Sequence, residues 1–171
     1  MSRLSSLSPA ALKAMFARDS DDTLITLLTF TGGGIGSPIR VADGYTARIS
    51  TTADEIVYGV PSRGNDFTFI PFQIILPDEQ VASAPQCTIT LYDVTRQLMP
   101  AIRALSGPPT GLIELVLAST PNTVEIAFSG FELGSVPYSA EQITLVLGVQ
   151  SLAAEPFPAH GFTPSYFPGL F

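Results

Sequence analysis

The residues able to do chemistry are few, and their spacing serves none of the usual mechanisms. His160 is the only histidine, set in Pro158-Ala159-His160-Gly161, so a catalytic triad or a metal site would rest on one imidazole. A zinc site takes about four ligands, and with Cys87 as the single cysteine the others would have to come from other chains. No Gly-x-Ser-x-Gly elbow presents a serine nucleophile. The glycines of Gly32-Gly33-Gly34-Ile35-Gly36 suit a phosphate cradle, but the loop lacks the Gly-Lys-Ser/Thr ending and runs into Ser37-Pro38 instead of a helix. It reads as a flexible hairpin tip. A glycosidase needs two carboxyls facing each other across a cleft. The pairs Asp21-Asp22, Asp54-Glu55 and Asp78-Glu79 are neighbours in sequence, whose side chains point apart on strands and turns, so they read as solvated turns. The expectation is a protein with no catalytic residue, no cofactor and no metal.

The aromatic residues near the C-terminus carry more weight. Phe157, Phe162, Tyr166, Phe167 and Phe171 lie among Pro156, Pro158, Pro164 and Pro168, which interrupt any helix or ladder. Burying each ring is worth roughly 1.5–3 kcal/mol, so these rings must cover something. They either fold back over the protein's own sheet or clasp an adjacent subunit, and they are the expected subunit-interface residues.

The elements that would hold such a segment follow from periodicity. In Phe67 to Leu76, Ile70, Phe72, Ile74 and Leu76 share one face of a strand, and after a turn Cys87, Ile89 and Leu91 do the same against Thr88, Thr90 and Tyr92. Cys87 is therefore a core residue. Asp93 is placed to cap a central helix with Val94, Leu98, Ala101, Ile102 and Leu105 at helical spacing, ended by Gly107-Pro108-Pro109. An earlier helix opens at Ser8-Pro9, with Leu12, Met15 and Phe16 as its buried stripe and Asp19, Asp21 and Asp22 leading out of it. Thr23 to Phe30 is apolar on both faces, as a central strand is. Shorter strands are expected around 39–41, 45–50 and 55–60. Ile113, Leu115 and Leu117 alternate against Glu114, a turn at Ser119-Thr120-Pro121-Asn122 reverses the chain, and Val124, Ile126 and Phe128 alternate against Glu125. A second pair, 131–136 and 143–149, surrounds Pro137 to Glu141. The fold class is mainly β with two helices (α+β), an antiparallel sandwich or barrel over residues 1–154, followed by an extended docking tail over 155–171.

This order of parts resembles the short tail proteins of the tail-tip modules of long-tailed bacteriophages. The residues that carry the likeness are Ser8-Pro9-Ala10-Ala11-Leu12, Pro71-Phe72-Gln73-Ile74 with Leu76-Pro77-Asp78, and Phe162-Thr163-Pro164-Ser165-Tyr166-Phe167-Pro168-Gly169-Leu170-Phe171. A weaker likeness links the strand–helix order to the N-terminal part of minor tail protein L of lambdoid phages. The glycine loop at 32–36 and Pro100 inside the central helix depart from the pattern. The resemblance implies a structural virion protein of the tail tip, related to tail-tube and hub barrels and without enzymatic activity. It would form a trimeric or hexameric ring, the distal tail or baseplate hub, with other tail-tip and tail-tube proteins as partners. The alternative is a β-sandwich binding module for a host-surface carbohydrate or protein, which the absence of tryptophan and the scatter of five tyrosines weaken.

Composition bears on the same question. Charged residues are 13% of the 171, about half the usual share, and mean hydropathy is +0.35. A monomer so poor in charge exposes wide neutral or apolar patches, which neighbouring subunits would cover. No apolar run approaches the ~18 residues of a spanning helix, and Arg3 is followed by no apolar core before Lys13, so neither a membrane anchor nor a secretory signal is expected. Synthesis in the host bacterial cytoplasm is the expectation. Seven arginines and one lysine against fifteen acids give a formal net charge of −7. The cations do not cluster, so genome DNA would pass without specific binding.

Overall fold

The computed structural model describes residues 7–52, 55–76, 86–92, 99–139 and 142–149. Helix α1 (Pro9–Phe16) precedes six strands: β1 (Leu24–Gly32), β2 (Ile39–Ala42), β3 (Ala47–Thr51), β4 (Ile56–Ser62), β5 (Asn65–Phe69) and β6 (Phe72–Ile75). Strand β7 (Gln86–Leu91), helix α2 (Met99–Arg103), and strands β8 (Pro109–Leu117), β9 (Thr120–Ser135) and β10 (Ile143–Gly148) follow. The fold is mainly β, as expected. All ten strands join one hydrogen-bonded row, β3-β4-β5-β2-β1-β8-β9-β10-β7-β6, not two stacked sheets. The row is mixed because β2 and β5 run parallel while the other pairs are antiparallel.

One short crossing gives this row its shape. The strand expected from Phe67 to Leu76 breaks at Ile70-Pro71, since proline has no N–H to continue a ladder, and its halves pair with opposite parts of the row. Ile70 N donates to Ala42 O (3.0 Å) at the end of β2, while Pro71 O accepts from Tyr92 N (2.9 Å) just past β7. Third and last positions in the row are therefore two residues apart along the chain, so the sheet curls. Its inner face buries Leu28, Phe30 and Val41 of β1 and β2 in one cluster with Phe72, Ile89, Leu91, Leu133, Leu145 and Leu147 of β6, β7, β9 and β10. Ile70 and Phe72 keep their expected inward face, but Leu76 is exposed. Cys87 is buried as expected, and burial pushes its thiol up to about 11, which leaves it protonated and inert.

Both faces of β1 are covered, in keeping with its unbroken apolar run. Leu28 faces the inner cluster, while Ile25 and Leu27 pack against Val60 of β4, Phe67 of β5 and Val116 of β8. The β3-β4-β5 wing thus folds back over the outer surface of β1 and β8. At Gly59 that wing is tight: a Cβ there would stand 2.0 Å from Phe67 O and 2.4 Å from Ile49 Cδ1.

Four local expectations change. Helix α1 is capped by the Ser8 hydroxyl, which accepts from Ala11 N, but it turns Ala11 inward and leaves Met15 and Phe16 exposed. It packs on Leu117 of β8 through Ala11 and the preceding Leu7, with Leu12 and Ala14 partly buried beside them. The strands expected at 124–128 and 131–136 are one, β9, with Gly130 in the left-handed region (φ 82°). Register shifts between β8 and β9 displace the alternation, so Val116 is fully buried and Leu115 only half. The hairpin reverses at Ala118-Ser119, Leu117 pairing with Thr120, earlier than the expected turn. Of the central helix, the described part is Met99–Arg103, and the proposed cap Asp93 with Val94 and Leu98 lies outside the described residues. No helix among the described residues is long and apolar enough to cross a membrane.

The close approach at Gly59 yields a direct test. Gly59→Ala should destabilise the fold by about 2 kcal/mol, the usual scale of overpacking, read as a lower urea midpoint with an unchanged slope. An unaltered midpoint would mean that β3 and β5 yield around the added methyl group.

Candidate functional site

The densest polar arrangement lies where the wing meets the β8–β9 hairpin. Ser62, Arg63, Gly64 and Asn65 make a two-residue turn between β4 and β5 in which Arg63 (φ 50°) and Gly64 (φ 75°) are both left-handed. Glycine accepts that conformation freely, whereas arginine pays roughly 1–2 kcal/mol. The side chain offsets it. Arg63 donates Nη1 to Glu114 Oε1 (2.7 Å) and Nη2 to Glu114 Oε2 (2.5 Å), a two-pronged pair in which Arg63 is 37% and Glu114 8% exposed. Arg63 N donates to Asn122 Oδ1 (2.6 Å), and the Ser62 hydroxyl donates to Pro121 O (2.6 Å). The Glu114 hydrogen bond, helped by its charge, holds the guanidinium above its ordinary value.

Other carboxylates are engaged in the same way. Glu125 accepts from Ser8 N and Ser8 Oγ, both at 2.9 Å, fastening α1 to β9. Asp22 accepts from Ser119 N (3.1 Å), the Ser119 hydroxyl and Thr23 N (3.1 Å), which ties the entry of β1 to the β8–β9 turn. These bonds, the Ser119 hydroxyl foremost, hold its carboxyl below the usual range. Asp43 accepts from Thr26 N (2.7 Å), and burial pushes its carboxyl up. Glu114 and Glu125 were expected on solvated faces and are instead buried structural acceptors, while Asp22 keeps its expected surface position and also accepts. Among the described residues none of the three faces another carboxyl across a cleft. Among the described residues no cluster of histidine, cysteine and carboxylate side chains could hold a metal, and no buried side-chain polar atom lacks a hydrogen bond.

The glycine loop at 32–36 is a hairpin tip, but a docked one. Gly32, Gly33 and Gly34 all have positive φ, and Ser106 N donates to Gly33 O (2.8 Å). A Cβ on Gly33 would meet Gly107 O at 2.7 Å. Ile35 of this loop, with Ile102 and Leu105 from the α2 side, packs on the inner core and lines an apolar cavity of about 30 Å³ with Phe30, Val41 and Leu133.

What remains for recognition is surface. Two of the five tyrosines are not scattered: the Tyr45 ring meets Tyr58 (5.4 Å between centroids, 54°) and Phe69 (5.3 Å, 65°). Register puts Arg48 opposite Tyr58, and Phe69 stands one step beyond the Gly59–Thr68 pair. The result is an aromatic patch on the wing, with Tyr45 59% and Tyr58 46% exposed. The patch joins residues from three segments, so no local spacing betrays it. The row also ends in two strands with one neighbour each, β3 and β6, and Ile75 of β6 is 70% exposed. Arg40 and Arg48 stand on β2 and β3, separated by β4 and β5, and Arg63 is committed to Glu114, so these three do not converge. The expected interface residues Phe157, Phe162, Tyr166, Phe167 and Phe171 lie outside the described residues, as do His160, Asp54, Asp78 and Glu79. In comparisons with known proteins, no family model matches this chain and no curated protein matches its sequence.

Two measurements check the polar network. Arg63→Met leaves the buried Glu114 carboxylate without its cation and should cost about 1–3 kcal/mol in denaturant unfolding, while adding Glu114→Met should recover part of it, since the unsatisfied buried acceptor is then removed. A single variant within 0.5 kcal/mol of wild type, on the roughly neutral scale of surface changes, would show that the pair does not hold the wing. Asp22, whose carboxyl is depressed in the folded state, contributes stability that is full above its ordinary pKa near 4 and is lost as pH falls through the lower folded value. Asp22→Ala should therefore lower the melting temperature at pH 7 and progressively less toward pH 2. An equal loss at both ends would assign the effect to packing.

Proposed function

We propose that this chain is a structural virion protein of a phage tail tip, a subunit of the ring or hub that joins the tail tube to the baseplate. It works as a closed trimer or hexamer among tail-tip and tail-tube proteins, and genome DNA passes without being held. The observation that supports this most is the pairing of a filled interior with open edges. Inside the curled sheet lies a cavity of about 30 Å³, room for about one water, while among the described residues β3 and β6 each have a neighbouring strand on one side only. Exposed edges invite pairing with another chain, and a head-to-tail contact repeated about an axis closes a ring. Ile75, Leu76, Met15 and Phe16 add exposed apolar surface of the kind that assembly covers.

A second reading, a binding module for host-surface carbohydrate or protein, gains from the patch of Tyr45, Tyr58 and Phe69, which offers exposed ring faces beside Arg48. The two readings separate in one experiment. Light scattering of the purified chain, alone and with tail-tip partners, together with antibody labelling of intact particles, should show three or six copies on the tail axis. Peripheral labelling, with cell binding by the isolated chain that Tyr58→Ala abolishes, would replace the structural reading with the recognition one. A protein that stays monomeric with those partners counts against any ring.

A further inference from the structure

An open groove of about 750 Å³ runs between the 105–109 connection and the paired β9 and β10. Leu105, Pro108, Leu133, Val136, Gly148 and Val149 line it. Its wall is continuous with the cluster that fills the curled sheet, through Leu133 and Leu105. Among the described residues that line it, Glu132 is the one that carries a charge. The groove is open at its rim, and the described residues offer it a lining of mixed character with an apolar side formed by Leu105, Leu133 and Val136.

What covers it is argued from where the chain goes. Gly148 and Val149 are themselves part of the wall, and residues 150–171 follow directly from Val149. That stretch contains five aromatic residues, no lysine or arginine, and one acid, Glu155. At about 3.1 Å per residue a proline-rich segment of this length spans about 70 Å, several times what it needs to double back along β10. A segment tethered at the rim reaches the groove at an effective concentration in the millimolar range, which a separate molecule at micromolar concentration does not match. Its prolines remove N–H donors and restrict the unbound chain, so less entropy is lost on seating.

We propose that this groove is the seat of the chain's own C-terminal segment, with Phe162 and Phe167 as the side chains that enter it. The proposal goes beyond the tail-tip reading and does not depend on it. Cys87 is fully buried, so engineered cysteines can be followed in the full-length chain without interference. Ser135→Cys in the groove wall, combined with Thr163→Cys, should form an intrachain disulfide on mild oxidation at least ten times faster than Thr51→Cys on β3 with Thr163→Cys. Replacing Phe162 and Phe167 by serine in the first pair should reduce its rate to that of the second. So should Gly134→Arg, whose Cβ has only Val146 O nearby, at 3.6 Å, and which puts a charged chain into the groove wall. Equal rates at the two positions, or rates unaffected by these substitutions, overturn the proposal. A bridge that forms only between chains overturns it too, and assigns the groove to a neighbouring copy's segment. Circular dichroism matching wild type confirms that each variant is folded, and the Gly134→Arg arm keeps the test available where the serine variants are not.

Discussion

The shape of this protein depends on one peptide segment that cannot belong to a single ladder. Pro71 has no N–H, and the residue before it is pushed toward extended backbone, so the chain between β5 and β6 can bend but not continue its pairing. Ile70 bonds to the end of β2 and Pro71 to the end of β7. With two residues bridging distant places in the row, the strands between, β2, β1, β8, β9, β10 and β7, must wrap round one core. Leu28, Ile89, Leu91, Ile113 and Leu147 are buried through that wrapping.

Wrapping one face leaves the other to be dealt with, and the wing and α1 do so. Val60 and Phe67 cover the outer side of β1 and β8, and Leu7 and Ala11 cover the end near Leu117. Part of the low charge content thereby gains an internal explanation: strands such as β1 are buried on both sides and have no solvated face on which to carry ions. The acids that do lie beneath these covers are each bound, Glu114 to Arg63 and Glu125 to Ser8. A carboxylate under a cover needs such partners because an unpaired buried charge costs several kcal/mol.

How much of this the sequence disclosed depended on whether the cause was local. The Ser8-Pro9 cap, the two-sided apolar run of β1, the alternation of Cys87, Ile89 and Leu91, and that of Ile143, Leu145 and Leu147 are written in neighbouring residues and were readable. The break at Ile70-Pro71 was not, because Ile70, Phe72 and Ile74 keep the period of two straight through it. Glu114 and Glu125 alternated as solvent-facing residues should; nothing nearby says that Arg63, 51 residues away, and Ser8, 117 away, reach them. Tyr45, Tyr58 and Phe69 likewise meet only because β3, β4 and β5 are neighbours. The five tail aromatics stood out by composition alone, which names what needs burial without naming the surface that provides it.

The docked glycine loop has a consequence for any assembly built from this chain. Ile35, held in place by the Gly33–Ser106 contact, closes one end of the curled sheet together with Ile102 and Leu105. Among the described residues the curled sheet encloses packed side chains, with a cavity of about 30 Å³ between them. In the ring proposed above, a passage for a nucleic acid duplex would therefore be enclosed by several protomers standing side by side. Its bore would be set by the number of copies and the angle between them, so a change at an edge strand that altered the stoichiometry would change that width without touching a residue that lines it.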